Sequence, residues 1–274
     1  MFTYSDLRQS LRASLADFLT PEEANAEASR WFVEGLGHDA SWFYAHGTDP
    51  VPDGERHQIG DWLERRMKGE PWAYILGWTS WRGHRFETGP GTLIPRPETE
   101  LVLEAALEVG KRLGVLHAVD VGTGTGILGI TLALETDWAI TATDISQKAL
   151  VVAQRNALAL GAKLQFRSGD LLGPVPDPVG LVVSNPPYVD PADRPGLQRE
   201  LSFEPEMALF APDRGLAIAT ELLRQGRVRS APGCVLEIGA GQGAELKLRA
   251  EAMGWKRVLV HRDFAGHDRV LVAF

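Results

Sequence analysis

The sequence predicts an α/β protein: a doubly wound, mostly parallel sheet of seven strands, preceded by a small helical domain and a connecting β-hairpin. Three observations carry this. From residue 97 onward, short apolar runs alternate with longer segments of helical periodicity, the pattern of βαβ units whose parallel strands are covered on both faces. The run "AVDVGTGTGILGI" joins the first of these strands to its helix through glycines, as doubly wound folds do at their ligand-binding rim. Residues 1–75 show helix start and stop signals with no strand pattern.

Three helices are expected in the first 75 residues. The first is "YSDLRQSLRASLADFL". In the second, "TPEEANAEASRWFVEGLG", Thr20 is a cap, Pro21 suits the first helical position and Glu23 completes a capping box, with Gly35 and Gly37 at the exit. The third, "DGERHQIGDWLERRMKGE", is ended by Gly69. Six of the eight tryptophans (Trp31, Trp42, Trp62, Trp72, Trp78 and Trp81) precede residue 82 and are expected to fill the core of this domain, the alternative being a docking surface for a partner. Residues 76–96 read as a hairpin linker, because "WTSWRGHRFET" alternates and turns at Arg82-Gly83.

The third segment, 97–274, opens with Pro97 and the helix "PETELVLEAALEVGKRL", in which Leu101, Val102, Ala105, Val109 and Leu113 share a face. Strands follow at "VLHAVDV", "AITATD", "KLQFRS", "GLVVS" and "CVLEIG", with helices over 126–134, 146–160, 215–228 and 244–253. The tail "KRVLVHRDFAGHDRVLVAF" reads as two strands joined directly, so one strand must run antiparallel. The loop from Asp190 to Pro212 is long for a simple connection, which predicts a lid or a substrate-binding segment.

Composition narrows the function classes. No apolar run approaches the roughly 18 residues of a membrane helix, and the N-terminus is charged throughout, so neither a membrane span nor a secretory leader is expected and the cytoplasm is the default location. Cys234 is the single cysteine, so no internal disulfide is possible. The net charge is −8, and the first 90 residues hold nine Lys/Arg against fourteen Asp/Glu. That balance argues against direct nucleic-acid binding, which needs a basic face. The seven histidines lack metal-ligand spacing, so no metal is expected, and the chain is expected to be a monomer.

Chemistry concentrates at two places. Gly122, Gly124 and Gly126, with Thr123 and Thr125 between them, permit a sharp turn and close approach to a ligand. Asp144 ends the next strand, where a carboxylate can accept from both hydroxyls of a ribose; together these predict a nucleoside-containing cofactor. A dinucleotide fingerprint can be read as "GTGILG" from Gly124, but the glycine that directly follows the strand is Gly122, which gives a different register. A second cluster, "EIGAGQG" from Glu237, leads into the terminal strands without a crossover and reads as structural. The other place is "VVSNPPYVD". Asn185 ends the fourth strand counted from the glycine loop, on the same rim, and Pro186 and Pro187 direct the carbonyls around them, while Tyr188 adds a flat face. The group suits a planar NH2, and these residues alone leave amide and nucleobase both open.

At this point the chain resembles the class I S-adenosylmethionine methyltransferases that act on amino groups, and within them the family of peptide chain release factor N5-glutamine methyltransferases. The resemblance rests on "EPWAYILG", "LIPRPETE", "DVGTGTG", "VVSNPPYV", "FEPEMALF" and "DFAGHDR", and so covers nearly the whole length. It implies a helical substrate-docking domain over 1–75 and a methyltransferase domain over 97–274. It implies that Gly122–Gly126 wrap the methionine end of S-adenosylmethionine, Asp144 holds the ribose and Asp170 lies near the adenine amine. Leu171 stands where relatives often carry an aromatic, so adenine would meet an aliphatic wall. Asn185, beside the cofactor, would act with Pro186, Pro187 and Tyr188 to hold the substrate amide. The reaction implied is methylation of the Gln of the Gly-Gly-Gln loop of release factors, leaving S-adenosylhomocysteine. Accepting the amide N–H bonds returns electron density to a poor nucleophile, so positioning and electrostatics suffice without a strong base. The competing expectations are an N6-adenine or N2-guanine nucleic-acid methyltransferase, and a non-catalytic nucleotide-binding scaffold.

Overall fold

The structure, a computed structural model, describes residues 1–39 and 41–274. The chain divides into two units, Met1–Gly77 and Trp78–Phe274. In the first, α1 (Tyr4–Leu15) starts on Thr3 and α2 (Pro21–Arg30) on Thr20, each with a complete capping box, through Asp6 and Glu23 respectively. Helix α1 buries Tyr4, Leu7, Leu11 and Leu15, a stripe at spacings of three and four. The second expected helix does not run unbroken to Gly37. After Arg30 the ladder widens into a π turn over Trp31–Gly35, where Leu36 N–H donates to the Trp31 carbonyl at 3.1 Å. Here the Trp31 ring stacks on Trp72 at 4.8 Å and meets Trp62 edge-on at 6.2 Å. Three further helices, α3 (Trp42–His46), α4 (Asp53–Met67) and α5 (Trp72–Leu76), complete the unit. Trp42 is only half-buried and stacks between His38 and His46.

The second unit opens with a hairpin, β1 (Trp78–Trp81) and β2 (His84–Glu87), whose turn residues Arg82 and Gly83 both have positive φ, 46° and 78°. Such a turn matches the twist of the paired strands. Trp78 and Trp81 therefore do not fill the helical core as the sequence suggested. Trp81 and Phe86 share one hairpin face and are buried with the helices of the second unit, the Trp81 Nε1–H donating to Thr131 Oγ1 at 3.2 Å. Helix α6 (Thr99–Leu113) begins two residues after Pro97, following i→i+3 turns from Arg96 and Pro97. It buries Val102, Leu103, Ala105, Ala106 and Val109; Leu101 and Leu113 flank this face half-buried.

The remaining elements are β3 (His117–Val121), α7 (Ile127–Glu135), β4 (Ala139–Asp144), α8 (Gln147–Leu160), β5 (Gln165–Ser168), β6 (Leu181–Ser184), α9 (Glu206–Leu209), α10 (Ala217–Val228), β7 (Cys234–Glu237), α11 (Gly243–Ala252), β8 (Val258–Arg262) and β9 (Asp268–Ala273). The seven-stranded sheet has the order β5-β4-β3-β6-β7-β9-β8. Only β9 opposes its neighbours, slotted between β7 and β8, which is the antiparallel strand expected from the tail. Both faces are covered. Ala118, Val183 and Val235 pack toward α6 and α7, while Val119, Val182 and Leu236 pack toward α10 and α11, so successive residues alternate between two cores. From β3 the chain winds outward through β4 and β5, then crosses to β6 on the other side of β3 and winds the opposite way. The carboxyl ends of β3 and β6 therefore flank the switch point, where an open sheet leaves a crevice. Among the described residues no helix is long and apolar enough to cross a membrane.

Candidate active site

A cavity of about 280 Å3 occupies that crevice. Its floor is the turn from β3 into α7. Gly122, Gly124 and Gly126 have φ of 68°, 57° and 89°, a region that side chains disfavour. A Cβ at Gly122 or Gly124 would meet nothing within 4 Å, so a ligand can come up against bare backbone there, whereas at Gly126 it would strike Ile130 at 2.6 Å. The turn is held from below by Asp120, 1% exposed, whose Oδ2 accepts from Thr123 Oγ1 (2.5 Å) and Gly129 N–H (2.8 Å). Burial pushes its carboxyl up to about 6. Asn156 of α8, also buried, holds the turn from the side, giving its NH2 to the Thr125 and Glu87 carbonyls and accepting Glu87 N–H.

Asp144, at the end of β4, accepts Gly124 N–H on Oδ2 (2.9 Å) and Ser146 N–H on Oδ1 (2.8 Å). Burial raises its pKa, and the backbone donors oppose that. With backbone donors from Gly124, Ser146 and Ile145, the carboxylate still has accepting capacity for a ligand hydroxyl. Asp170 and Leu171 form the wall beyond β5, with Leu171 in the left-handed region at φ 45° and its carbonyl accepting from Thr143 Oγ1. Of the residues singled out from sequence, Gly122, Thr123, Gly124, Thr125, Asp144, Asp170, Leu171, Asn185 and Pro187 line the cavity; Gly126, Pro186 and Tyr188 adjoin it in sequence without lining it.

The corner after β6 is built from four elements. Ser184 Oγ donates to the Val121 carbonyl at 2.6 Å, binding the β6 rim to the β3 rim. Asn185 Nδ2 donates to Thr99 Oγ1 of α6 at 3.1 Å, and Thr99 Oγ1 donates to Glu237 Oε2 of β7 at 2.6 Å. The Tyr188 hydroxyl donates to the other oxygen of Glu237 at 3.2 Å. Burial pushes Glu237 up to about 7, and burial with the nearby Glu237 charge pushes the Tyr188 hydroxyl up as well. The second glycine cluster supports this corner from behind: Gln242 reaches back to the Tyr188 carbonyl at 2.9 Å and accepts Gly239 N–H at 2.8 Å. Cys234 is fully buried, and burial raises its thiol pKa.

The loop 190–212 is ordered into short 3₁₀ turns and α9, and one buried carboxylate joins it to the segment before α6. Glu204 accepts Ile94 N–H at 2.9 Å and pairs with the Arg96 guanidinium. Leu93, Pro95 and Thr99 on one side and Pro205, Met207 and Ala208 on the other thereby become facing walls of one cavity. Sequence reading did not single out Thr99, Glu204, Glu237 or Asn156. For Glu237 a signal existed, an acid inside the apolar run "CVLEIG". Thr99 and Glu204 lie within "IPRPETE" and "FEPE", but nothing in those motifs says what they bond.

Residues 99–209 match the family model described as "Methyltransferase small domain", and residues 6–77 match the "PrmC N-terminal domain". The chain is 37% identical to the release factor glutamine methyltransferase of Bordetella pertussis, over 95% of this chain and 97% of the relative. It is 36% identical to that of Enterococcus faecalis, over 88% and 89%. Among solved structures, the hMettl16 catalytic domain in complex with MAT2A 3'UTR hairpin 6 superposes with a TM-score of 0.58 at 16% identity, covering 81% of each chain, a likeness of fold alone.

Proposed function

Because this chain belongs to the release factor glutamine methyltransferase family, whose members are S-adenosylmethionine-dependent enzymes, we propose that it methylates the side-chain nitrogen, N5, of the Gln in the Gly-Gly-Gln loop of peptide chain release factors. The observation that carries this reading is Asn185 on the cavity rim, with its NH2 already engaged by Thr99 and no donor among the described residues on its Oδ1. A primary amide entering beside it has an acceptor waiting for one N–H, and the Pro186 carbonyl is available for the other. Holding both N–H bonds localises the nitrogen lone pair and aims it into the cavity. Tyr188, anchored through Glu237, walls the corner.

The lining suits S-adenosylmethionine. Bare backbone at Gly122 and Gly124 supports contact with its methionine end, Asp144 with its ribose hydroxyls and Asp170 with its adenine amine, while Leu171 gives an aliphatic face for the ring. When bound, the group supplies an electrophilic methyl. The nitrogen held by Asn185 grows acidic as it is alkylated and sheds its proton afterwards, so no dedicated base is needed.

The test is to incubate the protein with labelled S-adenosylmethionine and purified release factor, alongside a factor whose loop Gln is replaced. Label should enter the first and not the second. Equal labelling of both, or labelling of RNA or DNA alone, would refute the reading.

A further inference from the structure

Glu237 and Thr99 lie outside the glycine turn and the Asn185–Tyr188 corner, yet they bond to that corner and form a directional chain into the site. Both are buried, at 1% and 0% exposure. Glu237 receives two hydroxyl donors, Thr99 on Oε2 at 2.6 Å and Tyr188 on Oε1 at 3.2 Å. An ionised carboxylate only accepts. The single hydrogen of the Thr99 hydroxyl is therefore spent on Glu237, and toward Asn185 the Thr99 oxygen can only accept. An asparagine amide has two ends of similar shape and opposite polarity, and nothing steric distinguishes them. Only the NH2 end satisfies Thr99, at 3.1 Å, which leaves the carbonyl end for whatever occupies the cavity.

We propose that Glu237 and Thr99 are positioning residues that set the polarity of the Asn185 amide, with its oxygen toward the substrate and its NH2 away from it. The proposal rests on the reading above, that Asn185 accepts from the substrate amide. With the ends exchanged, Asn185 would present two donors to a substrate NH2 that is itself a donor, and the contact would be lost. A neutral Glu237 can do this: a protonated carboxyl donates to Thr99, frees the Thr99 hydrogen for Asn185 Oδ1, and lets the amide turn over.

The charged and titratable groups facing Glu237 are Tyr188 after β6, Arg269 on β9 and Glu98 just before α6. Burial raises Glu237 and Glu98 adds to the rise, while Arg269 and the two hydroxyl bonds oppose it, to a balance of about 7. The chain thus holds its direction at pH 8 and loses it progressively below neutrality.

The test compares wild-type protein with Thr99→Val, Thr99→Ser and Glu237→Gln, using purified release factor as substrate. At pH 8 Thr99→Val should lower kcat by about 10- to 100-fold, the effect of misorienting one positioned group, with S-adenosylmethionine affinity unchanged. Thr99→Ser, which keeps the hydroxyl, should restore turnover. Glu237→Gln can offer Thr99 either an acceptor or a donor, so its kcat should fall and lose the rise that the wild type shows through pH 7. This second variant reads the same chain should Thr99→Val melt below the assay temperature. Wild-type kcat in Thr99→Val, no rescue by Thr99→Ser, or a Glu237→Gln pH profile parallel to wild type would overturn the proposal. A wild-type protein that fails to label release factor would instead overturn the reading beneath it.

Discussion

Replacing Glu204 with Ala removes a side chain that joins the loop after β6 to the segment before α6. The cost follows from its two partners. Ile94 is 7% exposed, and its N–H would lose its acceptor, which costs about 1–3 kcal/mol. The Arg96 side chain is one-third exposed and can hydrate, so losing that pair costs less than about 1 kcal/mol. Together the loss is about 1–4 kcal/mol, and it falls on the loop and not on the sheet, because the bonds of Glu204 go to Ile94 and Arg96. Since Pro205, Met207 and Ala208 wall the cavity, loosening the loop should weaken S-adenosylmethionine binding by up to about 1,000-fold, the ceiling that this free energy permits. Calorimetric titration reads the affinity, and amide hydrogen exchange across 200–211 reads the opening. Glu204→Gln, which can still accept Ile94 N–H, should lose much less. Normal affinity with unchanged exchange in Glu204→Ala would show that the two walls hold their places without this carboxylate.

Other outcomes follow from the same geometry. Asn185→Ala should cut turnover by about 10²- to 10³-fold, the scale for one preorganised polar group, while cofactor affinity by titration stays near wild type; a normal rate would refute its role at the substrate amide. Leu171→Ala, which strips the aliphatic wall beside the cavity, should raise the S-adenosylmethionine Kd by about 5- to 10-fold, as expected for about 1 kcal/mol of lost apolar contact; unchanged affinity would mean that adenine does not rest there. Asp120 and Glu237 have folded pKa values of about 6 and about 7, above their ordinary 3.8 and 4.5, so the folded state holds protons that the unfolded chain releases. Their contribution to stability is complete below pH about 4 and is lost as pH rises through 6 to 7, by roughly 3 kcal/mol for each group. Glu237→Gln should therefore gain in melting temperature relative to wild type between pH 5 and pH 8, and an equal gap at both pH values would contradict the shift.

The alternation of apolar runs and helical segments, the glycines at 122, 124 and 126, and the direct joining of the last two strands are local patterns, and they suffice for a doubly wound sheet with one antiparallel strand. Such features are legible because each depends on spacings of two to four residues or on what one backbone unit can adopt. Tryptophan placement was less legible. Composition alone grouped Trp78 and Trp81 with the helical domain, whereas hairpin pairing assigned them to the second unit and buried Trp81 beside Phe86. The π turn at Trp31 likewise has no local marker, because packing against Trp62 and Trp72 accompanies it and those rings lie far along the chain.

At the site the division is similar. The sequence by itself determined the rim: Asp144 and Asn185 end strands, and an open parallel sheet brings its strand ends to one edge. What only the tertiary structure decided is how those groups are held. Thr99, Asn185 and Glu237 come from three elements, with 138 positions between the first and the last, and Glu204 reaches back 110 positions to Ile94. A hydrogen bond acts over about 3 Å and carries no record in the spacing of its partners along the chain. Only the folded sheet, by pairing β6 with β7 beneath α6, shows that a buried carboxylate and a threonine stand behind the asparagine.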